Sequence, residues 1–486
     1  MTSLPLLPLT LSRVPVGLRQ ALGQEGVPFV ERARSNSAAK FVLFDSRLEK
    51  APLLCAEQKA IDVDLVRRLA RRDVLAELVD ERPVRRAWQV GQLEAVEEVA
   101  HIDKRAVRRT AMALLRGLIE RQGGVWFKLA PFPYRYRSAF NFRFDHDDFV
   151  AADFDAVLSA LRGCEDAASH FVCGSTHERH PDALARLRGM EVGSHGYWHY
   201  TYRDRRENQR NIRRGIEVLR QAGIDPSGFV APHGRFPSAL LETLEQLGIS
   251  HSSEFTLAYD ELPFFPRESR VLQIPVHPVS LGVILEAAQR QLPGFDHDPS
   301  LLECVLSDAE EYFVAVARAK HSAGEPIFFY CHPDGRLGRY PRVLRAVLDE
   351  VSTLPAVWKT TYSRMAAWWR ERASIVPRVE ATADGYAISV DRMPQGFHAA
   401  LELWRENRAA TVPLNQSLVQ ISPDALSYET RPAEVAVGES RIIGDRATLR
   451  DAVLRRLDWE RATPTREIRV RGVRTLVKKT LRYIKP

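Results

Sequence analysis

The sequence predicts an α/β protein built on a central barrel or broad open sheet of parallel strands. An N-terminal α/β or helical unit precedes it and a small β-rich module follows. Three observations carry this. From about residue 126, short apolar strand-like runs alternate with helical patterns six or seven times, the mark of βαβ units. Before about residue 125 the three-and-four spacing of amphipathic helices dominates. Beyond about Val376 that spacing gives way to YAISV, HAALELW and SLVQIS, separated by turn residues such as MPQG. The divisions are therefore 1–125, mostly helical, 126–375, 376–440, and a basic, partly helical tail over 441–486.

Bulk properties agree with several soluble domains. A chain of 486 residues exceeds one ordinary domain. With 45% hydrophobic and 27% charged residues it is no disordered polymer. The net charge of +7 is a mild excess beside 62 acidic side chains, so a nucleic-acid partner is not expected. Cys55, Cys164, Cys173, Cys304 and Cys331 are scattered without a CxxC pair, which argues against a disulfide framework and a thiolate zinc site, and for a reducing compartment. The opening MTSLPLLPLTLSR lacks the features of a signal peptide, and no window approaches a membrane span. A cytoplasmic location follows. The ending VRTLVKKTLRYIKP reads as a helix packed on its own protein or, alternatively, as a weak peripheral contact with the inner membrane face.

Taken in order, Phe41 to Ser46 reads as a strand, and Asp62 to Asp80 and Leu93 to Gln122 as helices, the second stopped by Gly123 and Gly124. Interleaved acids make the Arg pairs of this region a solvated face. The stretch AFNFRFDHDDFV then runs as a strand into Asp145, His146, Asp147 and Asp148, before a helix near Ala152 that ends at Gly163. Strands follow at His170 to Cys173 and Met190 to His195. The helix near Arg205 has Asp204 and Glu207 at capping-box spacing and Gly223 past its end. GFVAP, SALLETLEQLGI and RVLQIPV continue the alternation, a long helix near Leu301 to Ala319 leads to Ile327 to Cys331, and Pro341 opens another helix.

Chemistry gathers at strand ends. Asp145 and Asp147 end one strand, and His195 and His199 follow another. Ala231-Pro232-His233-Gly234-Arg235 and His332-Pro333-Asp334-Gly335 follow two more. Polar residues at the same end of successive parallel strands converge on one mouth. Two His four apart on a helical turn can face one ion, and Gly196 where a protease would need Glu argues against a zinc protease. Two His and one carboxylate with an open position form a standard catalytic metal site.

These motifs together resemble the polysaccharide deacetylase family, the NodB-homology domain of carbohydrate esterase family four, over roughly Phe140 to Ala367. The resemblance implies a distorted (β/α) barrel and a hydrolase that removes an N-acyl group, acetyl first, from an amino sugar of a polysaccharide or glycolipid precursor. Hydrolysis of another non-peptide C–N bond and an inactive glycan-binding barrel are the alternatives. It implies Asp145 as general base, with Asp147, His195 and His199 as ligands of a divalent ion, zinc being the first choice, and Asp148 as rival to Asp147. His332 would protonate the leaving amine. A backbone N–H near His233 would help hold the oxyanion. Two positions depart from the family pattern: Val230 stands where an Arg orients the base, so Arg143 or Arg235 would substitute, and Tyr330 stands where a Leu lines the acyl pocket. Asp296 and Asp298 are candidates to orient His332, and His277 to line the cleft. Asp148 is left to cap the next helix.

Overall fold

A computed structural model describes residues 4–444 apart from 33–38, 78–82, 203, 258–260, 392, 394–395, 415–417 and 432–439. Arg203 and nearly all of the basic tail, including its expected helix, lie outside the described residues.

The chain begins with β1 (Leu9–Ser12), α1 (Val16–Glu25), β2 (Phe29–Glu31), β3 (Phe41–Phe44), β4 (Lys59–Asp62) and α2 (Asp64–Ala70). The four strands form a parallel sheet in the order β2-β1-β3-β4, as the apolar runs LTLS and FVLF, buried on both faces, require. Next come the antiparallel pair β5 (Pro83–Val90) and β6 (Leu93–Ala100), then α3 (Lys104–Arg121) and β7 (Trp126–Leu129). This corrects two expectations. Leu93 to Ala100 is strand, because Gly91 at φ 54° turns the chain back on β5, and the helix starts only after Asp103, whose side chain accepts from Ala106 N–H. The Asp62 to Asp80 helix is confined to α2 and stopped by Arg71 at φ 54°. The N-terminal region is accordingly α/β rather than mostly helical.

The central sheet follows: β8 (Ser138–His146), α4 (Ala151–Ala160), β9 (Ala168–Val172), α5 (Gly174–His177), α6 (Pro181–Arg186), β10 (Glu191–Ser194), α7 (Arg205–Gln221), β11 (Gly228–Phe229), α8 (Ser238–Gln246), β12 (His251–Ser252), β13 (Leu272–Gln273), α9 (Leu281–Gln291), α10 (Pro299–Ala323), β14 (Ile327–Cys331), α11 (Pro341–Thr353), β15 (Val357–Lys359) and α12 (Tyr362–Ser374). Its eight strands are parallel in the order β13-β12-β11-β10-β9-β8-β14, with β15 also on β8. No pairing joins β13 to β14 among the described residues, so the curled sheet is a distorted, open (β/α) barrel. β8 is its axis. All nine of its residues are buried, and Phe142 and Phe144 stack on each other at 5.0 Å.

After the barrel run β16 (Pro377–Thr382), β17 (Gly385–Val390), β18 (Ala400–Arg405), β19 (Arg408–Pro413), β20 (Leu418–Ile421), β21 (Glu429–Thr430) and β22 (Ser440–Gly444). This segment does not stand apart: β18 pairs with β7, β22 with β5, and Leu7 bridges Val379. No helix among the described residues is long and apolar enough to cross a membrane.

Candidate metal centre

Residue alternation on β8 sends Arg143 and Asp145 to one face and His146 to the other. Asp147, just past the strand, continues the first face. There its Oδ1 lies 3.2 Å from Nε2 of both His195 and His199, and the two Nε2 atoms are 3.1 Å apart. Three ligands about 2.0–2.1 Å from one tetrahedral ion sit roughly 3.3 Å from each other, so this near-equilateral triangle has the dimensions of a single-ion site. The tautomer agrees. His195 Nδ1 donates to the Val230 carbonyl at 2.7 Å, which leaves the Nε2 lone pair facing the triangle. His195 is 2% exposed, but Asp147 and His199 keep about a quarter of their side-chain surface, so one side stays open to a substrate.

The His195 to His199 spacing works through a bend rather than a helical turn. Gly196 takes φ 79°, where a Cβ would meet the Asn211 amide and the Trp198 carbonyl at 2.9 Å. Asn211, from α7, accepts from Trp198 N–H at 2.7 Å and donates to the Trp198 and Tyr200 carbonyls at 3.1 and 2.9 Å. Gly215, one turn further along α7, lets the helix approach so closely that a Cβ there would lie 2.8 Å from the Gly196 backbone. Neither residue was among the sequence candidates. The only signal was a polar Asn at position 211 of the buried helix face beside Ile212.

Asp145 is 4% exposed, and its Oδ2 accepts from Arg143 Nη2 at 2.8 Å. The same guanidinium donates to the carbonyl and hydroxyl of Ser253 at 2.6 and 3.0 Å and lies 4.7 Å from the Tyr330 ring centre. Arg143 therefore meets Asp145 where the family pattern would use the position of Val230. Arg235 is engaged elsewhere, on Glu98 of β6 at 2.8 Å. Tyr330, 5% exposed, backs Arg143 and packs on Phe255 at 5.5 Å. Glu254 lies fully buried next to this network, accepting from Ala231 N–H at 2.7 Å, and burial pushes its carboxyl up to about 7.

His332 Nε2 lies 3.3 Å from Asp147 Oδ2, so it joins the cluster. Burial works to lower its pKa, but Asp147 beside it holds the imidazole well above its ordinary value. Conversely, burial would raise the Asp147 carboxyl, and His199 and His332 hold it well below the usual range. Asp153 of α4 fixes the turn after His332 by accepting from Gly335 N–H at 2.6 Å, another contact the sequence reading missed. His233, at φ 61°, puts its ring 4.7 Å from that of His199.

Several expectations need correction. Asp298 is the N-cap of α10, bonded to Ser300 N–H at 2.9 Å, and Asp296 meets Gln289 at 3.2 Å, so neither orients His332, whose Nδ1 has no hydrogen-bond partner among the described residues. The Asp-Pro-Ser order is a helix start. His277 is buried against Tyr312 rather than lining a cleft. Asp148 does not cap α4, which begins after Val150 without a side-chain cap.

Residues 142–252 match the family model for polysaccharide deacetylase. That family comprises hydrolases acting on carbon–nitrogen bonds other than peptide bonds. No curated protein matches the chain. Among solved structures, a protein assigned as a polysaccharide deacetylase from Mycobacterium smegmatis is 22% identical with a TM-score of 0.41, covering 49% of this chain and 92% of its own. A protein similarly assigned from Pseudomonas aeruginosa PAO1 is 17% identical with a TM-score of 0.40, covering 50% and 94%. A family-four pseudoenzyme from Bacillus anthracis is 13% identical with a TM-score of 0.31, covering 47% and 65%. The stretch that bears Asp145, Asp147, His195 and His199 is thus similar to the polysaccharide deacetylase family over residues 142–252, the part of the chain that the family model matches.

Proposed function

We propose that this protein is a metal-dependent hydrolase that removes an N-acyl group, acetyl in the first instance, from an amino sugar of a polysaccharide or glycolipid precursor. The observation that carries the reading is the 3.1–3.2 Å triangle of Asp147, His195 and His199 ligand atoms, open on one side, with Asp145 on the same face of β8. A divalent ion held there, zinc by the preference of two imidazoles and a carboxylate, would supply Lewis acidity to the acyl carbonyl and to a water. The remaining work belongs to the chain. Asp145, oriented by Arg143, takes the proton of the attacking water. His332 carries a proton at Nε2 and returns it to the departing nitrogen. The His233 ring packs against that of His199, and we assign a backbone N–H near His233 as the donor to the oxyanion.

Tyr330 fills the place of the smaller acyl-pocket residue, so the acyl group need not be acetyl. The five free cysteines fit a reducing compartment, and we place the protein in the cytoplasm, which fractionation of the native protein checks. The direct test is amine release from N-acetylated chito-oligosaccharides. Release by the wild type and its abolition in Asp145→Asn with metal still bound support the reading. Undiminished release in Asp145→Asn would refute the assignment of the base.

A further inference from the structure

Away from the metal centre, a cavity of about 410 Å³ opens where α3, β7, the β18–β19 pair and the C-terminal end of α10 meet. Small-ligand pockets fall in this size range. Neither Asp145 nor any member of the metal triangle lines it. Its walls carry seven basic side chains against three acidic ones. The three carboxylates are committed: Glu25 to Arg108 and Lys128, Glu325 to Arg105 and Arg109, and Glu402 to Lys128 and Arg431. Arg137 is occupied by Glu429 and by the His321 and Ser322 carbonyls, which offsets the negative end of α10.

What remains is cationic. Arg135 is exposed and has no ion pair among the described residues. Arg116 has a single ion-pair partner among the described residues, Glu120 at 3.8 Å. Arg431 Nη1 is buried with no hydrogen-bond partner among the described residues. The crowding is felt: burial, reinforced by Arg105 and Arg108 and opposed by Glu261, holds Arg109 below its ordinary pKa, and burial with Arg431 does the same to Arg137. An anion entering here would relieve this repulsion and accept forked guanidinium hydrogen bonds. The same walls offer aromatic faces. The Trp404 ring lies 4.9 Å from Lys128 Nζ and 5.6 Å from the Arg116 guanidinium, and Tyr134 and Tyr136 also line the space.

We propose that this cavity binds a sugar phosphate, the phosphate meeting Arg116, Arg135 and Arg431 and the ring lying against Trp404 and the tyrosines. The phosphate half stands on the excess of basic side chains, on the exposed Arg135 and on the unsatisfied Arg431 Nη1. The sugar half rests on the proposed reaction as well as on the aromatic walls.

The test is isothermal titration of the full chain with N-acetylglucosamine 1-phosphate, with N-acetylglucosamine and inorganic phosphate as separate arms. The sugar phosphate is expected to bind at least about tenfold more tightly than either fragment, since each half adds contacts worth over a kcal/mol. Arg116→Gln and Arg135→Gln should each weaken it by about tenfold, the loss of one charge-assisted hydrogen bond, with unchanged circular dichroism and amine release. Arg345→Gln, on the exposed face of α11, should change nothing. Equal binding of sugar and sugar phosphate overturns the proposal. So does inorganic phosphate binding as well as the sugar phosphate, equal weakening by Arg345→Gln, or loss of binding in His195→Ala, which would move the site to the metal centre. Absent amine release with this binding intact would refute the proposed reaction and leave the phosphate site standing.

Discussion

Arg143→Met tests the account of how Asp145 is held. Both side chains are buried, at 1% and 4% exposure, and their 2.8 Å ion pair gives the guanidinium its only carboxylate contact among the described residues. Removing one partner of a buried pair leaves an uncompensated charge, which costs about 3–5 kcal/mol. The Ser253 carbonyl also loses its donor, adding roughly 1–3 kcal/mol. Some of the combined loss is recovered because Met fills the space against Tyr330, so the expected fall in unfolding free energy is about 4 kcal/mol. Asp145→Asn in the Arg143→Met background removes the stranded charge and should restore about half of it. Where enough protein remains folded, amine release should fall by about 10²-fold, the usual effect of a misplaced catalytic group. Arg143→Lys should rescue neither measurement fully, because an ammonium cannot reach Asp145 and Ser253 with one rigid fork. The assays are urea unfolding and amine release on the same preparations. A single variant within about 1 kcal/mol of wild type, or with kcat within about threefold, would refute the reasoning.

Other perturbations separate positioning from ligation. Asn211→Ala strands the Trp198 backbone groups and should lower metal affinity by about 10–100-fold while His195 and His199 remain, as competition with a chromogenic chelator would measure. Gly215→Ala should destabilise the fold even though alanine favours a helix interior by about 1 kcal/mol, because its Cβ meets backbone at 2.8 Å rather than a movable side chain; a rise in Tm would contradict this. Glu254, raised from 4.5 to about 7, binds its proton more tightly when folded, so its contribution is fully present below pH 4.5 and is lost as pH rises through about 7. That loss is on the order of 3 kcal/mol. Between pH 4.5 and 8 Glu97, raised to about 8, adds a parallel decline, and His170 and His251, lowered to about 4, an opposing rise. The expected result in denaturation is therefore that Glu254→Gln removes only the Glu254 share of the slope, and a slope identical to wild type in the variant would assign the titration elsewhere.

Much of the barrel was legible because its signals are local. The Asp204 cap, Pro341 at a helix start and the apolar runs of β8 and β14 each declare themselves within a few residues. Leu93 to Ala100 was not legible in this way. Val96, Val99 and Ala100 suit a helix face, while Leu93, Ala95 and Val99 suit a strand face, and pairing with β5 decides between them. In the site, the candidate ligands are visible as side-chain types after strands. What holds them comes from distant positions: the Val230 carbonyl, Asn211, Asp153 and the Ser253 loop act through backbone or buried polar contacts that leave no periodic trace. Val230 illustrates the limit. Its side chain cannot orient a base, yet its carbonyl sets the tautomer of His195.

The most direct test of the central claim is the metal content of the purified protein after zinc loading at neutral pH, read by mass spectrometry alongside amine release. The account predicts one ion per chain in the wild type, none retained by His195→Ala or Asp147→Ala, and amine release that a chelator abolishes and zinc restores. No bound ion in the wild type, or amine release indifferent to both chelator and His195→Ala, would contradict it.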